Sequence, residues 1–118
     1  MAKKRSAPAH VGVTPERAGR LFRLLTLLGG GPQSRKTLTR RLRLGVRGFY
    51  RDLEVLREVG IPVILLNGKY ALREDAGQAI DRLPFPDPGL TLGEARLLAR
   101  GRSDAHKKIR RQLHKIEH

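Results

Sequence analysis

The stretch VRGFYRDLEVLREVGIPVILLNGKYAL, residues 46–72, contains a helical pattern that leads directly into a hairpin pattern. Apolar residues recur at helical spacing and predict a helix over about residues 46–59. Asn67-Gly68 suits a two-residue type I′ turn between Ile61–Leu66 and Lys69–Leu72, two apolar or alternating runs that predict strands. We therefore expect a helix followed by a tight β-hairpin.

Two more helices are predicted before this stretch. Thr14-Pro15-Glu16 provides a capping hydroxyl, a proline at the first helical position and an acid in the first turn, and the helix should end at Gly29-Gly30-Gly31-Pro32. Ser34 is expected to cap a short second helix, with Leu38 and Leu42 turned inward, before a break at Leu44-Gly45. Three helices followed by a hairpin is the order of elements in an α+β winged helix-turn-helix, in which the hairpin is called the wing.

The remaining sequence divides around a winged helix-turn-helix domain at residues 14–73. Residues 1–13 are basic and predict a disordered arm. Residues 74–90 are polar and then rich in proline (Pro84, Pro86, Pro88), which predicts a linker. Residues 91–118 predict a helical extension, in which a capping box opens one short helix and a second helix covers about residues 104–117.

We expect this extension to form a homodimer contact. Its last helix has an apolar stripe that is too narrow to stabilise a free helix of about fourteen residues, and the stripe consists of Ile109, Leu113 and Ile116. Leu97 and Leu98 could complete a shared apolar surface, and helix-turn-helix domains usually work as symmetric dimers. The alternative is that residues 91–118 fold back on their own chain.

The composition favours a polyanionic partner. The 118 residues include 25 Lys and Arg against 11 Asp and Glu, a formal net charge of +14, and cations that neutralise phosphates release condensed counterions. There is no cysteine, which excludes disulfides and thiolate metal sites, and no apolar run long enough to span a bilayer. Pro8, His10 and Gly12 stand where a signal peptide would be apolar, so we expect a cytoplasmic protein at the nucleoid.

The exposed side of the third helix is the predicted contact with double-stranded DNA. On a helical wheel the apolar residues fall on one side and should pack on the first two helices, namely Val46, Phe49, Leu53 and Leu56. The other side combines groups that suit a major groove and its flanking phosphates, namely Arg47, Tyr50, Arg51 and Glu54. A solvated charged face would look similar, but the neighbouring basic helix and hairpin favour DNA. Further basic residues are expected to position the protein on phosphates, namely Arg35, Lys36, Arg40, Arg41 and Lys69.

Residues 17–73 resemble the N-terminal winged helix-turn-helix domain of bacterial WYL-domain transcriptional regulators, which are related to the DeoR type. The resemblance depends on Gly31-Pro32 before the second helix, on YRDLEVLREVGIPV from Tyr50 to Val63, and on Gly68-Lys69-Tyr70 in the wing. It continues more loosely through LPFPDPGLTLGEARLLAR. The resemblance implies a sequence-specific transcriptional regulator, with the third helix in the major groove and the wing on the DNA backbone.

Two features depart from these regulators. Gly45 and Gly48 stand where the family usually has a serine cap and a threonine, and a glycine inside a helix costs about 1 kcal/mol relative to alanine. We therefore expect a weakened recognition helix or weaker DNA binding. The chain ends at His118, so we expect it to lack the effector-sensing WYL domain and to bind no small-molecule effector.

No catalytic constellation or cofactor site is expected. Asp52 should be a structural partner for Arg20 or Arg23 of the first helix. His114 and His118 have a spacing that could ligate zinc, but no third ligand is evident, so no metal is expected. A winged helix with a weakened recognition helix could instead be an interaction or adaptor module for an acidic protein. RNA binding is disfavoured because aromatic residues make up only 4% of the chain.

Overall fold

A computed structural model describes residues 12–86 and 90–118, which form an α+β fold of six helices and three strands. The helices are α1 (Pro15–Gly29), α2 (Arg35–Leu42), α3 (Val46–Glu58), α4 (Ala76–Asp81), α5 (Leu92–Leu98) and α6 (Asp104–Glu117). The strands are β1 (Gln33–Ser34), β2 (Val63–Leu66) and β3 (Lys69–Leu72). Most of the predicted basic arm falls on residues 1–11, and Pro88 of the predicted linker falls on 87–89. Both ranges lie outside the described residues.

Capping hydrogen bonds confirm the predicted helix starts. The hydroxyls of Thr14 and Ser34 each accept a bond of 3.1 Å from the backbone N–H three residues further on. Thr91 and Glu94 form the predicted capping box at the start of α5. Helix α3 begins after Gly45 with no side-chain cap, as its sequence indicated. Its position therefore depends on packing against the rest of the chain.

The predicted hairpin is confirmed, and it belongs to a larger sheet. Asn67 and Gly68 join β2 to β3 with φ angles of 51° and 78°, and two consecutive positive φ angles define a type I′ turn. Strand β1, which the sequence did not predict, pairs with β3, so the antiparallel order is β1-β3-β2. Ser34 lies opposite Lys69 in this register. Helix α2 therefore starts directly from the edge of the sheet.

A buried ion pair holds α3 on α1. The Asp52 side chain has no exposed surface, and its carboxylate accepts hydrogen bonds from Nε and Nη2 of Arg20 at 2.6 and 3.0 Å. Nε of Arg17 lies 3.2 Å from the same carboxylate. The predicted structural role of Asp52 is confirmed, with Arg20 and not Arg23 as its partner. Because a buried carboxylate must be paired, this contact fixes which side of α3 faces the solvent.

Residues 74–86 of the predicted linker are packed structure instead. Asp75 caps α4, and the segment contributes Ala79, Ile80, Leu83 and Phe85 to the core that α1, α2 and α3 also share. Polar residues and prolines dominate its composition and conceal this short apolar pattern. Because these side chains are buried with those of α1, the core continues past residue 73 into the extension.

The extension 91–118 folds back on its own chain, which was the alternative to a dimer contact through its apolar stripe, while a dimer through the rest of the extension stays a prediction. Helix α6 packs against α1 and α5, and its stripe is covered within the chain, with Leu113 and Ile116 buried and Ile109 half-buried. Gly19 of α1 lies at this contact, where a Cβ atom would be in ordinary van der Waals contact with the backbone oxygen of Ile116, at 3.4 Å. The stripe is therefore part of the core and is not free for a second copy.

Candidate nucleic-acid interface

Helix α3 has one buried side and one exposed side. Phe49, Asp52 and Leu56 have no exposed surface and face the core. The four predicted DNA-contacting residues all lie on the exposed side, namely Arg47, Tyr50, Arg51 and Glu54. On a helix with about 100° per residue these four span roughly 100°. The structure therefore collects two guanidinium groups, a phenol and a carboxylate on one continuous surface.

One predicted core residue of α3 lies on this exposed side. Val46 was expected to pack on the first two helices, but its side chain is 49% exposed. The buried side is centred nearer to Asp52 and Val55 than the apolar pattern indicated, because the Asp52 ion pair turns the helix toward α1. Leu53 is only half-buried for the same reason, and Arg57 joins the exposed side.

A hydrogen bond connects α3 to the start of α2. Nη1 of Arg35 donates to the hydroxyl of Tyr50 at 2.9 Å. This bond, supported by the neighbouring Tyr70 hydroxyl, holds the pKa of Tyr50 below the usual value for tyrosine, and the same bond raises the pKa of Arg35. Tyr50 is 41% exposed. Its hydroxyl can therefore meet a ligand while Arg35 keeps it oriented.

Tyr70 connects the sheet to the same place. Its ring lies edge-on to Phe49 with the ring centroids 5.2 Å apart, and Phe49 in turn meets the ring of Tyr50 at 5.6 Å. Burial raises the pKa of Tyr70, which has the opposite sign to the shift at Tyr50. Sequence reasoning treated Tyr70 only as part of a wing motif and missed this role. Its place one residue after Lys69 in an alternating strand was the available signal.

These contacts define one surface from three elements, which we call the Tyr50 surface. It consists of Arg35, Arg47, Tyr50, Arg51, Lys69 and Tyr70. Lys69 lies at its edge, because its register partner, Ser34, immediately precedes Arg35, while its side chain points to the opposite face of the sheet from Tyr70. The predicted residues Lys36 and Arg40 are exposed on α2, one turn apart. Arg41 lies elsewhere, since it lines an apolar groove of about 200 Å³ between α1 and α2.

The acids that form ion pairs do so away from the Tyr50 surface. Asp52 binds Arg17 and Arg20, Glu74 binds Arg82, and both Asp81 and Glu117 bind Arg96. Within residues 12–86 and 90–118, no carboxylate lies within ion-pair distance of the cations of the Tyr50 surface. Glu54, on the same side of α3, is likewise unpaired among these residues. The surface is consequently open to an anion.

The β2–β3 hairpin, which the sequence predicts to be the wing, is apolar near its turn. Leu65 is 59% exposed and Leu66 is 54% exposed. Leu65 lines a groove of about 520 Å³ between α3 and the sheet, together with Leu53, Glu54 and Val63. Lys69 is the basic residue next to the turn. The wing can therefore offer one cation and an apolar edge to a ligand that already contacts α3.

The described residues show no metal cluster and no membrane helix. No three His, Asp or Glu side chains in this part of the chain come together as a metal site. His114 and His118 stack with their ring centroids 4.4 Å apart on α6. None of the helices that the structure describes combines the length and apolar character needed to cross a bilayer.

Comparison with known proteins does not assign the chain to a family. No family model matches the sequence, and neither the curated proteins nor the solved structures gave a match. The function must therefore be argued from the surface itself.

Proposed function

We propose that this chain is a sequence-specific double-stranded DNA-binding protein that acts as a transcriptional regulator. Its helices α1 to α3 and its sheet form a winged helix-turn-helix, α3 enters the major groove, and the wing touches the DNA backbone. The observation that carries the proposal is the Tyr50 surface, in which the bond from Arg35 to Tyr50 joins α2 to α3 and the ring of Tyr70 packs β3 against Phe49 of α3. A rigid, unpaired set of cations from three elements suits a grooved polyanion better than a small anion.

The residues of the surface have different roles in the proposal. Arg47 and Arg51 are the candidates for guanine edges or inner phosphates, because a guanidinium can bond two acceptors at once. Tyr50, Arg35 and Lys69 bind phosphates and set the register of α3 in the groove. Glu54 can accept from the amino group of a cytosine. Lys36 and Arg40 add phosphate contacts along α2.

Selection from a random duplex pool tests the proposal. We expect one enriched sequence, and binding to it should weaken with salt at a slope of log K against log salt near −5, if roughly six phosphates are contacted. Arg47→Ala and Arg51→Ala should each cost about 1–3 kcal/mol on the enriched duplex. Arg100→Ala, an exposed arginine after α5, is the matched control and should cost much less. No enrichment, with a slope near zero, would refute the proposal.

Symmetric binding by two copies would need a contact other than the buried stripe of α6. Leu97 and Leu98 of α5 are 63% and 37% exposed and offer an apolar surface. We include a dimer through α5 in the proposal, since one winged helix covers few base pairs. Sedimentation with and without the enriched duplex measures the mass of the complex, and so distinguishes two copies bound to two half-sites from a single bound copy.

The exposed leucines of the wing favour a second candidate function. A protein-interaction or adaptor module for an acidic partner would use Leu65, Leu66 and the groove beside α3 as its apolar contact, with the cations around it. Leu65→Ser should then abolish partner binding. If the protein binds DNA instead, the same change should alter duplex affinity only slightly. Duplex DNA should then also compete with any acidic partner for the Tyr50 surface.

A further inference from the structure

Helix α6 has a second cationic surface that the proposed function does not use. Its buried side carries Leu113 and Ile116, which pack in the core. Its other side exposes four basic residues, which we call the α6 stripe: Lys107, Lys108, Arg111 and Lys115. At about 100° per residue these four lie within an arc of roughly 100°, centred almost opposite to the buried side. The helix therefore separates its apolar and cationic residues almost completely.

The stripe is not neutralised within the described residues. None of its four side chains lies within ion-pair distance of a carboxylate there, and Glu117 of the same helix is bound to Arg96. Asp104 is the single acid that the helical spacing places beside the stripe. Two pairs of cations in the stripe stand four residues apart, Lys107 with Arg111 and Arg111 with Lys115. Like charges at this spacing destabilise a helix. An external polyanion would relieve this repulsion.

The stripe faces a different direction from α3. Helix α6 meets α1 at Gly19, whereas α3 is held on α1 by Arg17 and Arg20. On α1 these arginines stand roughly 100° or more from Gly19. Helices α3 and α6 therefore meet different sides of α1, and each exposes its cations on the side opposite to its buried residues. The two cationic surfaces are therefore separate.

We propose that the α6 stripe binds the phosphate backbone of a second duplex segment, so that one chain holds two segments of DNA together. The proposal rests on the proposed function for the first segment. From Lys107 to Lys115 the stripe spans about 12 Å of helix, along which a duplex carries one charge per about 1.7 Å. The stripe contains no aromatic residue and no carboxylate that could read a base. Its contact is therefore independent of sequence.

A bridging assay tests this second contact. A duplex with the enriched sequence is attached to beads and saturated with protein, and a labelled random-sequence duplex is added. We expect the wild-type protein to capture the labelled duplex. The variant Lys108→Gln/Arg111→Gln/Lys115→Gln should lower capture at least tenfold and should change affinity for the first duplex less than twofold. Glutamine keeps a similar helix propensity, so the fold of α6 should persist, which circular dichroism checks.

A charge-matched control separates the stripe from net charge. Arg73→Gln/Arg100→Gln/Arg102→Gln removes three cations outside α6 and should leave capture within twofold of wild type. The stripe variant should also flatten the salt slope of capture by about 2.7, which is 0.9 for each of three phosphates that the variant no longer neutralises. Equal losses in the two variants would overturn the proposal.

Other outcomes overturn it in distinguishable ways. If the protein binds the first duplex specifically but does not capture the second, the proposed α6 contact is refuted and the proposed function remains. Capture that survives in the stripe variant assigns bridging to two copies joined through another surface. Failure to bind any duplex refutes both the proposed function and the second contact.

Discussion

The buried carboxylate of Asp52 gives the sharpest test of how the candidate interface is held in place. Asp52→Asn keeps the size of the side chain but removes its charge and replaces one acceptor with a donor. The new amide would then face guanidinium groups that also donate, where Arg20 now makes bonds of 2.6 and 3.0 Å and Arg17 lies at 3.2 Å. The change breaks the link between α1 and α3 without opening a cavity.

The expected cost follows from the burial of the pair. Breaking a fully buried ion pair costs about 3–5 kcal/mol, but the side chains of Arg17 and Arg20 are 28% and 21% exposed and regain some hydration. We therefore expect the free energy of unfolding to fall by about 2–3 kcal/mol, at or just below the lower end of that range. For a domain of this size the melting temperature should fall by roughly 10–20 °C.

Urea denaturation followed by circular dichroism measures the effect, with Asp81→Asn as the matched control. Asp81 pairs with Arg96 at 3.0 Å, but its side chain is 54% exposed, and exposed pairs contribute about 0.2–1 kcal/mol. Both variants change the net charge equally, so a general effect of the positive charge cancels between them. If Asp52→Asn unfolds at the same urea concentration as Asp81→Asn, the ion pair does not position α3.

Two further changes probe the interface itself. The chain has two tyrosines and no tryptophan, so absorbance should show Tyr50 ionising below the usual tyrosine pKa and Tyr70 above it, and Tyr50→Phe should remove the lower step. DNA binding should weaken as pH rises through the lower step, because a phenolate repels phosphate, and a single shared step would contradict the Arg35 contact. Gly48→Ala should raise the free energy of unfolding by less than the roughly 1 kcal/mol of helix propensity, because its Cβ would lie 2.7 Å from Cδ1 of Leu44, which must rotate. A lower urea midpoint would show that Leu44 cannot move. Gly48→Thr, which introduces the residue usual in the WYL-domain regulators that the sequence resembles, could then not be accommodated and would not tighten DNA binding.

Local signals in the sequence were enough to predict most elements. Thr14, Ser34 and Thr91 cap the helices that their sequence positions indicated. Asn67-Gly68 forms the predicted turn because its dihedral angles are accessible to those two residues at low cost. In each case the structure depends on residues within four positions of one another, so the information is present in a short window.

The errors arise where long-range contacts decide. Strand β1 has two residues and no periodicity, so only its partner β3 defines it. The apolar stripe of α6 has the same pattern whether it meets another copy or its own chain, and only its packing against α1 and α5, which are distant in sequence, distinguishes the two. Val46 was misplaced because a charged residue, Asp52, occupies the buried side of α3. Such a burial is visible only together with its arginine partners.

Acidic residues are distributed unevenly over the described part of the chain. Among the described residues, most acids are engaged by the fold, whether in ion pairs, in helix caps or in first turns: Asp52, Glu74, Asp81, Glu117, Asp75, Glu94, Glu16 and Asp104. Glu54 and Glu58 are the exceptions, and both are exposed on α3. A carboxylate among cations lowers affinity for any polyanion. On the proposed function, Glu54 beside Arg47 and Arg51 would discriminate between sequences, because a carboxylate accepts from cytosine and repels a misplaced phosphate. The two surfaces would then differ in role, since α3 combines both signs of charge and would select a sequence, whereas the α6 stripe is almost purely cationic and would only hold a backbone.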